Sequence, residues 1–392
     1  MNKNLKQYFP TIRTRREILQ EIRENEMLMD TFSSWSKGEQ EEFMDFCTGA
    51  RGVKMMYDFM SKEILNPEFH PERLNEFISL LLGQPAEIVE ILPNDGTRLA
   101  DESTLLIMDV VVKLSDGSIV NLEIQKLGYM FPGERSACYS ADLLLRQYKR
   151  VRKNAKKKKF YYRDIKQVYT IVLFEKSPTE FRKYKDIYLH RFEQRSDTGL
   201  ELQLLQKYIF VSLDIFRSIH QNEDKSMTLR NRLDAWFAFL SSDEPEAIVS
   251  IIEAYPEFRE MYEQVYDICR NIDEVMQMFS KELRELDKNT VELMIDEMQK
   301  ELDNLKDFRS KLQDNNAQLK EDNVQLKESN VQLKEDNVQL KEDNVQLKES
   351  NVQLKESNAQ LKEDNTQLQS ELVQKEQEIN ALQEEIRKLR QG

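Results

Sequence analysis

The sequence predicts an α/β domain carrying helical additions at both ends and a long C-terminal coiled coil. Three observations lead there. Runs rich in β-branched residues alternate with helical patterns through the first half of the chain. Two of those runs, LLIMDVVVKL and SIVNLEIQK, are joined by the turn residues Ser115, Asp116 and Gly117. Beyond Thr290, leucine returns at every seventh position from Leu305 to Leu368.

The elements follow in chain order. Thr14 to about Leu65 reads as helices, with apolar residues at helical spacing in TRREILQEIRENEMLMDTF and Ser36 as the cap of SKGEQEEFMDFC. Glu72–Leu82 is the next helix, Glu87–Leu92 a strand, then come the hairpin from Leu105 to Lys126 and a helix from Glu134 through Arg152. VYTIVLF marks a buried strand over Gln167–Glu175, and Lys207–Leu213 reads as another. From Asn231 to Arg284 the chain is helical again, with Trp236 and Phe237 as core residues. Four segments result: an N-terminal helical segment 1–48, a core 49–220, a helical module 221–290 and a heptad region 291–392.

The hairpin holds the chemistry. A two-residue turn at Asp116-Gly117 would put Asp109 opposite Ile124, with its carboxylate on the face away from Glu123. A three-residue loop, with Gly117 left-handed, puts Asp109 opposite Glu123 instead. Alternation favours the second register: Val110, Val112, Leu114, Val120, Leu122 and Ile124 then share one face, and Asp109, Lys113, Asn121, Glu123 and Gln125 the other. Two carboxylates at roughly 5 Å between Cβ atoms repel unless a cation lies between them. A hard ion such as Mg²⁺ or Mn²⁺ suits that need. The spacing by itself fits equally the wet side of an ordinary antiparallel sheet.

The order Asp, hairpin, Glu-x-Gln, helix and strand resembles the PD-(D/E)XK nuclease superfamily, and within it the recombination-promoting nuclease and transposase branch, where Gln replaces the usual Lys. The resemblance spans roughly residues 10 to 300, through FPTIRTRREIL, DTFSSWSKGEQEEFMDFCTGARGVKMMYDF, LPNDGTRLADESTLLIMDVVV, FPGERSACYSADLLLRQYKR and VYTIVLFEKSP. It implies a restriction-endonuclease-like αβββαβ core on a mixed sheet. It also implies that Asp109 and Glu123 are ligands of Mg²⁺ or Mn²⁺ and that Gln125 holds the third catalytic position. Lys126 points to the other face, and Lys113 lies about 13 Å along the strand from Asp109, so neither replaces the missing Lys. Such folds often add an acid from the preceding helix. Glu76 is that candidate, a solvated helix residue being the plainer alternative, and Asp101 and Glu102 are further acids nearby.

Formal charge is −14, from 57 Lys and Arg against 71 Asp and Glu, so attraction to nucleic acid must be local. Between Arg146 and Lys166 basic residues gather against one acid, Asp164, interleaved with Tyr148, Phe160, Tyr161 and Tyr162. Arg135, Arg146, Lys149, Arg150, Lys156, Lys157, Lys158 and Lys159 are the candidate DNA contacts, since cations neutralise phosphates and aromatic rings stack on bases. A solvated lysine-rich loop is the alternative. Tyr139 and Gln147 are further candidates for contact with substrate phosphates, Tyr139 fitting the core equally well. Cys47, Cys138 and Cys269 have no paired spacing, and His70, His190 and His220 are scattered, so neither set suggests a zinc site or a disulfide framework. Three buried thiols in a reducing cytosol are expected. No run is apolar enough to span a membrane and no signal peptide opens the chain, so the cytoplasm is the expected location.

In the tail, near-identical heptads NVQLKED and NVQLKES place leucine at position d, Asn at a, Lys at e, and Asp or Ser at g. Ile295, Leu302, Leu372, Ile379 and Ile386 take a, while Met298, Leu382 and Leu389 take d. Repeated Asn at a weakens the centre and favours two strands. The expectation is a homodimer through residues 291–392, with a single solvated helix as its alternative. About a hundred helical residues would span roughly 150 Å.

The function expected from the whole is metal-dependent DNA endonuclease activity of a transposase-like or recombination-promoting kind. The rival is a catalytically degenerate nuclease fold that binds DNA or acts as a scaffold through its coiled coil. Gln125 in place of Lys is the rival's support.

Overall fold

In the computed structural model, residues 4–93, 110–126, 131–154 and 159–390 are described. Contacts divide the chain into one unit of residues 1–300 and a second of residues 301–392.

The first unit opens with α1 (Arg15–Glu24), α2 (Glu26–Ser34) and α3 (Lys37–Cys47). Thr14 with Glu17, and Ser36 with Glu39, form reciprocal capping boxes that satisfy the first free amides of α1 and α3. After α4 (Asp58–Ile64), α5 (Pro71–Leu82) starts on a proline and stops at Gly83, whose φ of 69° is left-handed.

Strands β1 (Ile88–Leu92), β2 (Val110–Leu114), β3 (Ile119–Gln125), β4 (Val168–Phe174), β5 (Leu189–Phe192) and β6 (Gln206–Ser212) form one mixed sheet in the order β1-β2-β3-β4-β6-β5. The pairs β1·β2, β2·β3 and β5·β6 are antiparallel; β3·β4 and β4·β6 are parallel. The crossover between β3 and β4 carries α6 (Pro132–Asn154), as a parallel pair demands. Strand β5 was not expected from the sequence, and α7 (Thr179–Arg182) precedes it.

The β2–β3 turn is the three-residue loop. Leu114 N donates to Ser118 O at 2.8 Å, Gly117 N donates to Leu114 O at 2.9 Å, and Gly117 has φ 90°. Val110 therefore faces Leu122, and Val112 faces Val120.

Helices α8 (Leu213–His220), α9 (Arg232–Ser241), α10 (Pro245–Ala254), α11 (Phe258–Ile268) and α12 (Ile272–Leu389) complete the chain. One large core joins the N-terminal helices, one sheet face (Val112, Val120, Leu122, Ile171, Leu173) and α9 to the start of α12. Phe279 of α12 lies edge-on to Trp35 with centroids 5.1 Å apart. Trp236 and Phe237 are buried, as expected. Two small clusters cover the other sheet face: Val111, Ile119 and Val168 under Tyr139 and Leu143 of α6, and Val172, Phe174 and Phe210 with Phe181 of α7.

In the second unit α12 exposes its every-seventh leucines, and the Asn at several a positions bend back on their own helix, as where Asn337 Nδ2 donates to Leu333 O at 2.9 Å. Among the described residues no helix is long and apolar enough to cross a membrane. Cys47 and Cys269 are buried free thiols, but Cys138 is exposed, because α6 turns that position away from the sheet.

Candidate active site and nucleic-acid surface

Alternation along β3 sends Val120 and Leu122 into the large core and Asn121, Glu123 and Gln125 to the face beneath α6. That face is not wet. Asn121, Glu123 and Gln125 are 0, 4 and 6% exposed, so the plain reading of a solvated sheet surface gives way to a buried polar patch. The covering helix is amphipathic, with Ser136, Tyr139, Ser140, Leu143 and Gln147 turned inward at spacings of three and four.

Asn121 Nδ2 donates to Glu123 Oε1 at 2.9 Å. Among the described residues, Asn121 Oδ1, Gln125 Oε1, Thr170 Oγ1 and Gln147 Nε2 are buried with no hydrogen-bond partner. Thr170 pairs with Asn121 across β3·β4, so two of these atoms belong to facing positions on two central strands, while Gln125 lies four residues farther along β3. Each unmet buried polar atom costs about 1–3 kcal/mol. The oxygens among them are hard donors of the kind that Mg²⁺ or Mn²⁺ takes.

The expected carboxylate pair is half described. Asp109, Asp101 and Glu102 lie outside the described residues, as do Lys156, Lys157 and Lys158. Among the described residues no three His, Cys, Asp or Glu side chains gather as a metal site. Glu76 is on α5, which packs into the large core on the opposite sheet face, and Arg232 grips both of its oxygens at 2.6 and 3.2 Å. The structure does not bring it to Glu123.

Lys126 points to the large-core face, as alternation requires. Its Nζ is bonded to Glu282 and lies 3.1 Å from Asp58, and Asp58 N donates to Glu282 Oε2 at 2.9 Å. Burial opposes the Lys126 charge, but Glu282 and Asp58 outweigh it and raise its pKa. Burial likewise pushes the Glu282 carboxyl up, against the pull of Lys126. The lysine beside the Glu-x-Gln motif is thus held inside the fold by two acids.

On α6, Arg135 Nε donates to Tyr139 Oη at 3.0 Å, and Tyr139 is core. Arg146 pairs with the buried Asp142 at 2.7 Å and donates to Pro93 O at 2.9 Å, strapping α6 to the end of β1. Arg150 is 4.0 Å from Glu90, whereas Lys149 and Lys159 are exposed and make no ion pair among the described residues. Lys166 N donates to Gln147 Oε1 at 2.5 Å, which ties the basic segment to the inward face of α6. Sequence reading passed over Asp142, although an acid four residues before an arginine on an apolar helix face is a readable sign.

The family described as PD-(D/E)XK nuclease family transposase matches residues 55–293. The chain belongs to that family. The match runs from just before α4 into α12, so it takes in the whole sheet and the helices on both of its faces. No curated protein and no solved structure matches the chain. Membership makes a nuclease acting on DNA the expected activity, and the buried Glu123 patch lies within the matched span.

Proposed function

We propose that the chain is a metal-dependent DNA endonuclease, cutting phosphodiester bonds at the patch around Glu123. The observation that carries this reading is the group of buried polar atoms, without partners among the described residues, beside Glu123 on the β3 face under α6. Asp109 and Glu123 would hold the divalent ion, which supplies a lowered pKa for a bound water and polarises the scissile phosphate. Gln125, whose Oε1 lacks a partner among the described residues, orients the attacking water. Asn121 fixes the Glu123 carboxylate through its amide. Lys149, Arg150 and Lys159 neutralise phosphates beside the site, while Arg135 and Arg146 shape α6 as well as adding positive charge. Residues 291–392 would pair two chains, bringing two sites to two strands.

The test is nicking and linearisation of supercoiled DNA, and degradation of linear DNA, with Mg²⁺ or Mn²⁺. Asp109→Ala and Glu123→Ala should each lose activity by about 10³-fold or more, in the range typical of groups acting on the transition state. Unchanged cleavage in both would remove the assignment. Calorimetric titration with Mn²⁺ separates the scaffold reading, which needs no ion. Light scattering of the full chain beside one ending at Lys306 addresses pairing: equal protomer numbers for both would end the dimer reading.

A further inference from the structure

We infer that residues 159–166, together with Tyr148 of α6, form a stacking platform for unpaired nucleobases, so that the preferred substrate has single-stranded DNA next to the cleaved bond. This inference rests on the nuclease reading and deepens it by naming the form of the substrate.

Three rings build the platform. Phe160 stands edge-on to Tyr148 and to Tyr162, with centroids 5.7 and 5.0 Å away. Tyr148 and Tyr162 are nearly parallel, at 13°, with centroids 6.3 Å apart. Arg152 donates to Tyr148 Oη at 2.8 Å, one turn along α6, which holds the ring that the helix contributes. The outermost ring, Tyr162, is nevertheless 73% exposed, and its neighbour Tyr161 is 44% exposed. Single exposed aromatics are ordinary on protein surfaces. A ring whose plane is set by two others, yet whose outer side is left to water, is a contact surface prepared in advance.

Charge identifies the occupant. The Arg163 guanidinium lies 4.9 Å and the Lys159 ammonium 5.8 Å from the Tyr161 ring centre. Lys149, Lys153, Lys159 and Arg163 are exposed and make no ion pair among the described residues, in a chain whose net charge is −14. Aromatic faces among uncompensated cations match a polyanion that also offers flat π-surfaces. Single-stranded nucleic acid is that polymer, because duplex bases are already stacked on one another.

Position fits as well. Lys166 packs on Gly117 at the hairpin loop, and Ile119 N donates to Gln167 O at 2.9 Å, so the segment sits at the loop end of β3. Glu123 is four residues farther along that strand, about 13 Å. A strand could therefore stack on Tyr161 and Tyr162 while a phosphate several nucleotides away lies at Glu123.

Binding without divalent ions separates this inference from catalysis. Fluorescence anisotropy of the full chain in EDTA, at one fixed salt concentration, would use a labelled 20-nucleotide strand and the duplex of the same sequence. Replacing both tyrosines (Tyr161→Leu with Tyr162→Leu) should weaken binding of the single strand by about 10- to 100-fold, the scale of stacking lost at one or two bases, and binding of the duplex by less than about threefold. Tyr162→Phe should bind like the parent. A strand carrying 2-aminopurine should have its fluorescence quenched on binding the unmodified protein, a readout that does not depend on any variant folding. No quenching, or equal loss on single strand and duplex, overturns the platform. Metal-dependent cleavage without single-strand preference would leave the nuclease and remove the platform, and tyrosine-dependent single-strand binding without cleavage would do the reverse.

Discussion

Glu123 on β3 and Lys126, the residue just past its end, are charged side chains three residues apart, and the two faces of the sheet treat them in opposite ways. On the large-core face Lys126 is met by Glu282 and Asp58, and Asp58 in turn bonds Glu282 through its backbone amide. On the α6 face Glu123 sits among amides and a hydroxyl, several of whose polar atoms have no partner among the described residues. Burying a charge is costly unless it is paired and hydrogen-bonded. Where the fold completes the pairing, the charge serves the structure. On the proposed reading, the polar atoms beside Glu123 that are unmet among the described residues serve the ion and its water instead.

That contrast is sharpest in paired measurements of activity and melting. Glu123→Gln keeps the shape of the side chain and removes the charge. Cleavage should fall by about 10³-fold or more, while the melting temperature stays level or rises, as at sites where function opposes stability. A Glu123 that mattered only to packing would give the reverse, with lower melting and intact cleavage.

Lys126→Met should do what Glu123→Gln does not. It leaves Glu282 and Asp58 facing each other without their cation, and losing one partner of a buried pair costs about 3–5 kcal/mol. Burial holds the Glu282 pKa above its unfolded value. Its contribution is thus present below the ordinary carboxylate range and is lost as pH rises through the raised folded value. The gap between Lys126→Met and the parent should therefore be widest at neutral pH and narrow as acid protonates Glu282. Adding Glu282→Leu to Lys126→Met should recover most of the lost stability at pH 7, measured by urea denaturation. If Lys126→Met melts like the parent but stops cutting DNA, the lysine belongs to the chemistry and the comparison between the faces fails.

Gln125→Ala probes the weaker element of the open face. Orienting a water through one neutral amide is a smaller contribution than holding an ion, so a loss of cleavage of roughly 10-fold is expected, on the scale of one neutral hydrogen bond. A loss as deep as that of Glu123→Gln would give Gln125 a share in ion binding.

Much of this arrangement was readable in advance. The register of β2 and β3 followed from alternation together with Gly117, because a one-residue slip would have put Val110 and Leu122 on the polar face. The helix over Pro132–Asn154 and the buried strand over Val168–Phe174 followed from periodicity and β-branched composition. Burial of Asn121, Glu123 and Gln125 did not follow, since a polar alternation looks the same in water as beneath a helix supplied by the tertiary fold. Strand β5 escaped for a related reason: its four residues, LHRF, carry no clear alternation and are ordered by backbone pairing to β6. The partners of Lys126 come from α4 and α12, and no local pattern links elements so distant in the chain.

The smallest effect belongs to Glu175, which continues β4 on the large-core side and donates its backbone N–H to Gln125 O at 2.9 Å. Burial pushes its carboxyl up, and Lys54, Arg217 and Lys126 only partly offset that. A carboxyl with a raised folded pKa contributes stability below its unfolded pKa and loses it as pH rises through the folded value. Burial disfavours its charged form, so Glu175→Gln should stabilise the chain modestly at neutral pH. The gain should vanish below about pH 4, where the parent's carboxyl is itself protonated. Melting curves of parent and variant across that range would decide it. A variant less stable than the parent at neutral pH would mean that Lys54, Arg217 and Lys126 need the Glu175 charge, and that the large-core face, too, pairs its ions as a network rather than only around Lys126.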